Sequence, residues 1–411
     1  MVSLPKHLSY RTLIIISLFC IGCLHAIIFG FLQYPENFLT RAISPSFQRI
    51  LLIVLYSSAI ITACLSQFIS RNWGLKKPFI YGLLAYLLGI LIFYFTHLFI
   101  KNLYLSDALL SFGMILLGFA FSIVFIALTT YIIIEFRHYM AIGITVLFAF
   151  MNLGAMLSTI LLNFFTSWNV GWLFALILSI LILLSIRFVK VYFFEPKFPK
   201  HLQHLRKSST IWKELHYRLA FFIIAIILYG ICENTFNLFG DKYLTFYFPL
   251  KIAHATISIF WLFLIIGQIL VLMPLYLTSP RTVFLSLVGL MTLAFILLPH
   301  QTHLTGVFLT LAIAGTGCSA CFPIMLATLE SELKTSFKKK SYQPLLPYFE
   351  ITTALMIAGY ILGTGFITIL IEFLPKIKLN IVITNIYLAI GYCLVFTIIT
   401  VFLMFTYKKR I

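Results

Sequence analysis

The stretch Phe194–Tyr217 reads FEPKFPKHLQHLRKSSTIWKELHY, and it is the longest polar run in a chain of 411 residues. It carries Lys197, Lys200, Arg206, Lys207 and Lys213 and interrupts a chain that is otherwise a succession of apolar runs. Six such runs precede it, at 12–31, 49–69, 78–99, 107–134, 140–164 and 168–189. Six follow it, at 218–239, 252–277, 282–299, 304–329, 349–373 and 380–406. About 20 residues at roughly 1.5 Å each cross a hydrocarbon core of about 30 Å, so each run is long enough to span a bilayer. In lipid the backbone must satisfy its own hydrogen bonds, which leaves helices or closed barrels. These runs are apolar on every face rather than alternating, so a barrel is excluded. The sequence therefore predicts an all-α polytopic membrane protein with 12 transmembrane helices in two pseudo-symmetric six-helix bundles. The expected domains are 1–193, a central basic cytoplasmic loop at 194–217, and 218–411. Two equal sets of six spans are the hydropathy pattern of transporters built from repeats.

Composition supports this reading and removes others. Apolar residues make up 62% of the chain and charged residues 10%, against about 45–50% and about 25% in soluble domains. Too little polar surface exists for a soluble fold, and 43 Phe residues exclude a disordered chain. The net charge of +18 sits in short loops rather than in a patch that would grip phosphates, so no nucleic-acid partner is expected. Seven cysteines, at Cys20, Cys23, Cys64, Cys232, Cys318, Cys321 and Cys393, all lie in apolar runs. Cys318 and Cys321 form a C-x-x-C without further ligands nearby, so it reads as small apolar packing, and no metal or cofactor is expected. Lys6 and Arg11 precede the first run, but no small-x-small cleavage site follows it, so it reads as an uncleaved span.

Orientation follows from the basic residues. With the N-terminus inside, only Arg41, Arg49, Lys101, Lys242, Lys251, Lys376 and Lys378 fall outside, and the other 22 of the 29 Lys and Arg fall inside. The positive-inside rule then puts both termini in the cytoplasm. The expected location is a bacterial inner membrane. Glu330 and Glu332 close the tenth span, with Lys338, Lys339 and Lys340 after them, and read as a topology-setting loop.

Polar groups inside a span are costly and so point to function or to structural bonding. Glu233 is the one acid well inside a span. At 100° per residue it shares a face with Asn237 and Gly240, and Asn234 lies about 100° away. This stripe can bind hydroxyls or exchange a proton, or hold a structural carboxylate. His25 lies about two-thirds along the first span; its imidazole can exchange protons or simply bond a neighbouring helix. Asn152 shares a face with Met156, Thr159 and Asn163, and reads as either cavity lining or packing. Trp261 and Gln268, seven residues apart, are nearly eclipsed on one helix, where an indole can stack on a sugar face and an amide can bond its hydroxyls.

Several motifs resemble the major facilitator superfamily, and within it the fucose-permease-like sugar transporters. Arg71-Asn72-Trp73-Gly74-Leu75-Lys76-Lys77 is similar to the D-R-x-G-R-K loop, keeping Gly74, Lys76 and Lys77 as a conformational loop and losing the Asp and first Arg. Phe148–Leu157 resembles the run A-F-x-G-L-G-A, with Asn152 in place of a glycine. Tyr229-Gly230-Ile231-Cys232-Glu233 resembles Y-x-G-A-E, and Ser258-Ile259-Phe260-Trp261 followed by Gly267-Gln268 resembles S-x-F-W and G-R, with Gln268 for the Arg. Gly317–Pro323 is similar to the small-residue run that ends in F-P. The fragments keep the family's order across both halves. The resemblance implies the major facilitator fold and a solute site near the bilayer midplane. One departure matters: the family's fourth-span acid falls on Phe125, and its first-span acid is missing near His25.

The expected protein is a secondary active transporter for a small polar solute, such as a sugar or other hydroxylated metabolite, and not an enzyme. It should work by alternating access, coupled to a proton or another cation, as a monomer in membrane lipid. No G-x-x-x-x-G-K-[ST] loop is present for ATP. Two alternatives remain, a transporter-like sensor without flux and a membrane-embedded lipid-linked transferase. The transferase would need clustered acids or a large catalytic loop, and the chain shows neither.

Overall fold

The structure is a computed structural model that describes residues 6–32, 44–96, 103–136, 139–164, 168–192, 219–236, 250–301, 303–336 and 346–373. All regular structure among the described residues is helical. The helices are α1 (Lys6–Leu32), α2 (Pro45–Trp73), α3 (Lys76–Thr96), α4 (Leu103–Glu135), α5 (Met140–Phe164) and α6 (Trp168–Tyr192). They continue with α7 (Leu219–Phe236), α8 (Leu250–Leu277), α9 (Pro280–Leu297), α10 (Leu304–Cys318), α11 (Cys321–Ser336) and α12 (Leu346–Phe373). A single 3-10 turn, Leu298–His300, follows α9.

Eleven segments among the described residues are long and apolar enough to cross a membrane, and the tenth of them, Leu304–Glu330, combines α10 and α11. They coincide with the first eleven expected spans. The twelfth, 380–406, lies outside the described residues, as do the central loop and Asn237. Local chemistry fixes some of the ends. Ser279 caps α9 by accepting the Thr282 backbone N–H, and Pro280 occupies the first turn, where its missing N–H is harmless.

The chain divides into two compact units, Met1–Pro196 and Lys197–Ile411. In the first, α1 packs on α5, α2 and α3 both pack on α4, and α3 also meets α6. In the second, α8 and α9 both pack on α10, and α7 packs on α12. Each unit thus repeats the same pairings: its first span on its fifth, its second and third on its fourth.

The repeat extends to single atoms. On the fifth span of the first unit, a methyl at Gly154 would overlap the Cys23 carbonyl oxygen of α1. On the corresponding span of the second unit, a methyl at Gly363 would overlap the Ile227 carbonyl oxygen of α7. Gly118 meets the Leu55 carbonyl of α2 in the same manner, and Gly315 meets the Phe260 carbonyl of α8. With no hydrophobic force between helices in lipid, association rests on close packing at such small residues. Ser122 adds a hydrogen bond from α4 to the Ala59 carbonyl of α2 at 2.6 Å.

The outer surface is apolar where a soluble protein would be polar. Leu173, Leu176, Ile177, Ile180, Leu181 and Leu184 lie exposed along one face of α6. An apolar row of that length suits lipid tails, and the chain is an integral membrane protein.

Close packing at the glycines gives opposite expectations for one substitution. Gly154→Ala should lower stability by about 1–3 kcal/mol through overpacking. Gly289→Ala, where nothing lies within 4 Å of the added methyl, should raise it by about 0.5–1 kcal/mol. Melting curves of the detergent-solubilised variants check the contrast, and equal shifts would contradict the packing described.

Candidate functional site

Glu233 sits on α7 at 6% exposure, one turn beyond Tyr229. The Tyr229 and Tyr360 side chains both hydrogen-bond its carboxyl group, and their rings stack with centroids 6.2 Å apart. Tyr360 comes from α12, so the acid is held from its own helix and from the neighbour. Its other oxygen, Oε2, is buried with no partner among the described residues. A buried carboxylate with an unbonded oxygen carries a desolvation cost of several kcal/mol when ionised.

Asn234, one residue on, faces differently. Its Nδ2 donates to the Thr364 carbonyl and to Thr368 Oγ1, both at 2.9 Å. Both donors therefore tie α7 to α12.

Span ten departs from the continuous helix expected over 304–329. It breaks at Ser319–Ala320, between α10 and α11. Pro323 explains the break, because it has no N–H to give to the Ser319 carbonyl four residues earlier. Side chains from two other helices take over. Gln268 Nε2 of α8 donates to the Ser319 carbonyl at 2.8 Å, and Tyr229 Oη of α7 donates to the Cys318 carbonyl at 2.8 Å. Gln268 Oε1 and Ser319 Oγ remain buried without partners among the described residues. Trp261 is half-buried and meets Phe260 edge-on at 5.5 Å. Of the eclipsed pair on α8, Gln268 is committed to the break.

His25 anchors the corresponding place in the first unit. It stands two residues past the Cys23 carbonyl on which Gly154 packs, as Tyr229 stands two past the Ile227 carbonyl on which Gly363 packs. It is 1% exposed, and its Nδ1 shares a 2.7 Å hydrogen bond with Tyr86 Oη of α3. Its ring stacks on Phe121 at 4.8 Å and tilts against Phe125 at 5.7 Å. Phe125, where the resembling family carries an acid, is thus an aromatic wall for His25. Nε2 has no partner among the described residues. Asn152 is buried on α5.

Gly74 and Leu75 link α2 to α3, and Lys76 and Lys77 are the first two residues of α3. Gly74 has φ of 74°, a left-handed conformation that ends α2 at low steric cost only for glycine. Lys77 is exposed and Leu75 beside it is buried.

One acid was misjudged from the sequence. Glu330 was expected in a topology-setting loop, but it is 0% exposed and accepts hydrogen bonds from Thr352 Oγ1 at 2.7 Å and Thr353 Oγ1 at 3.3 Å. The two threonines of α12 cover it. Tyr229, Tyr360, Tyr86 and Pro323 were also passed over as site residues. Pro323 was the one legible signal, a helix breaker in mid-span. No cluster of three metal-ligating side chains occurs among the described residues.

Known proteins share this fold. Residues 14–342 match the family model described as Major Facilitator Superfamily. A stretch of 90 residues, 21% of this chain, is 36% identical to the Major facilitator superfamily domain-containing protein 4A of Xenopus tropicalis, and spans 18% of that protein. The fold is similar to a crystal structure of the E. coli fucose:proton symporter FucP, with a TM-score of 0.70 at 14% identity. That likeness covers 96% of this chain and 98% of the other. A second crystal structure of FucP, in the outward conformation, gives 0.72 at 13% identity over 96% and 99%.

The bonding at the break predicts a coupling between two residues. Gln268→Leu should destabilise the protein by about 1–3 kcal/mol, because the Ser319 carbonyl is left unbonded. On a Pro323→Ala background the restored N–H can take that carbonyl, so the same change should cost much less. A double-mutant cycle on melting temperatures checks this, and full additivity would contradict the capping role of Gln268.

Proposed function

This chain is a transporter of the major facilitator superfamily, and we propose that it moves a small hydroxyl-bearing solute by alternating access with the proton as coupling ion. The observation that carries this reading is Glu233: a buried carboxyl, held by two tyrosine hydroxyls, with one oxygen left unbonded. A group placed so changes its bonding when it gains or loses a proton, which a coupled cycle requires. The fold likeness to a fucose:proton symporter agrees with a sugar-like solute. The solute-binding candidates are Glu233, Gln268, Trp261, Asn152 and Asn237, and the buried orphan Oε1 of Gln268 suits a hydroxyl donor. His25, boxed by Tyr86, Phe121 and Phe125, is a second group that can exchange a proton. Gly74, Lys76 and Lys77 serve as the loop that changes with conformation.

We place the domains at 1–193 and 218–411 with the basic loop 194–217 between them, and both termini on the cytoplasmic side. The support is the excess of Lys and Arg in the segments on that side. Labelling of single cysteines should find positions 207 and 339 inside and 101 and 376 outside. Labelling of 207 and 101 from the same side would break the assignment.

In proteoliposomes, a panel of monosaccharides and polyols tests transport directly. A member of the panel should accumulate when a pH gradient is imposed, and Glu233→Gln should abolish that accumulation while solute exchange at equal pH persists, because the neutral amide resembles the protonated acid. Accumulation at the wild-type rate in Glu233→Gln would remove Glu233 from the coupling. Binding of a panel member without any flux would favour a sensor.

A further inference from the structure

Several serines inside the helices turn their hydroxyls back to the carbonyl four residues earlier, as Ser111 does to Asp107 and Ser179 to Ala175. Ser319 does not. Its backbone is engaged on both sides: the N–H donates to the Thr316 carbonyl at 3.2 Å, and the carbonyl accepts from Gln268 Nε2 at 2.8 Å. Its side chain lies against α8, where a methyl at Gly267 would come within 2.8 Å of Ser319 Cβ and 2.9 Å of Oγ. The hydroxyl and the Gln268 amide thus lie at one place between α8 and the break. Both residues are 1% exposed, and neither Ser319 Oγ nor Gln268 Oε1 has a partner among the described residues. Buried polar atoms left so call for an explanation.

We propose that Ser319 Oγ and Gln268 Oε1 form a subsite that binds one hydroxyl group of the transported solute, which makes Ser319 a specificity-determining residue. The proposal rests on the reading of the chain as a transporter of a hydroxyl-bearing solute. Donor and acceptor chemistry selects the group. Gln268 Nε2 is committed to the Ser319 carbonyl, so the amide offers only its oxygen, and the partner of that oxygen has to donate. Ser319 Oγ has a proton to give, so the same partner serves both if it also accepts. A hydroxyl does both with one oxygen. Its proton goes to Gln268 Oε1, and one of its lone pairs takes the Ser319 proton. An ether oxygen, a carbonyl or a fluorine has no proton for Gln268, and a carboxylate would set its charge against Oε1.

The place in the fold suits a solute contact. Gln268 lies near the middle of the span Ser258–Leu277, and Ser319 near the middle of Leu304–Glu330. Solute sites of repeat-built transporters lie near the bilayer midplane and draw on interrupted helices, and span ten is interrupted at this serine. A water molecule offers the same donor and acceptor as a solute hydroxyl. The two sources are separated by the solute itself, because removing one of its hydroxyls changes affinity through Ser319 only if Ser319 binds that hydroxyl.

Uptake by the full chain in proteoliposomes tests this, with D-glucose, D-galactose, D-mannose and D-mannitol as probes. Each is compared with analogues in which one hydroxyl is replaced by hydrogen or by fluorine. For a probe that is taken up, one position should stand out at which both replacements raise the wild-type KM by about tenfold or more, the loss of at least one hydrogen bond. In Ser319→Ala the KM of the parent probe should rise by about tenfold while that of the deoxy analogue at this position stays unchanged, so the ratio between them shrinks. Ser319→Cys, close in size and a weaker donor, should shrink the ratio in the same direction, and it decides where the alanine variant does not fold. If the ratio at every position is the same in the wild type and the Ser319 variants, the two oxygens hold water only; the subsite is overturned and transport stands. If none of the probes is taken up, transport of a hydroxyl-bearing solute and the subsite are overturned together.

Discussion

A carbonyl oxygen in the interior of a membrane protein has to be bonded, and at the break in span ten that requirement organises the second unit. Pro323 removes the N–H that would have satisfied Ser319, and the chain answers with Gln268 from α8. Tyr229 from α7 holds the neighbouring Cys318 carbonyl. Three spans are therefore pinned to one point by two hydrogen bonds. The tyrosine that serves one of them also belongs to the Glu233 carboxyl group. Local backbone chemistry and the buried acid cannot be separated here, since they share one hydroxyl.

The two units use one packing plan and fill it differently. Gly154 and Gly363 each sit on a carbonyl of the first span of their unit, and Gly118 and Gly315 each on a carbonyl of the second. Two residues past the first of these contacts stands a polar ring, His25 in one unit and Tyr229 in the other. His25 is enclosed by Phe121, Phe125 and Tyr86. Tyr229 is linked to an acid and to a broken helix. Repetition supplies the frame, and the departures from it supply the chemistry.

Much of the fold was legible in the sequence because spanning helices are fixed by a simple quantity, the length of an apolar run. The expected spans from 12–31 to 349–373 are found for that reason. Glu233 was legible too, since a lone acid in such a run stands out. What the runs concealed was the partners. Tyr229 and Tyr360 lie 131 positions apart, His25 and Tyr86 lie 61 apart, and no periodicity joins them. Asn234 stands about 100° off the face of Glu233 on the helical wheel, but nothing in the sequence shows that both its donors go to α12. Glu330 looked like a loop acid because lysines follow it, and only the placement of Thr352 and Thr353 shows it buried. Pro323 was visible throughout, but hydropathy averages over a proline, so span ten read as one helix.

The central claim is that solute movement and Glu233 protonation are one cycle. Simultaneous recording of external pH and of labelled monosaccharide or polyol uptake in proteoliposomes, with no gradient imposed other than that of the solute itself, measures it most directly. The account predicts that protons enter with the solute, so the outside becomes more alkaline at a fixed ratio to uptake, and that the pH change vanishes in Glu233→Gln. Solute uptake with no accompanying proton movement would contradict it.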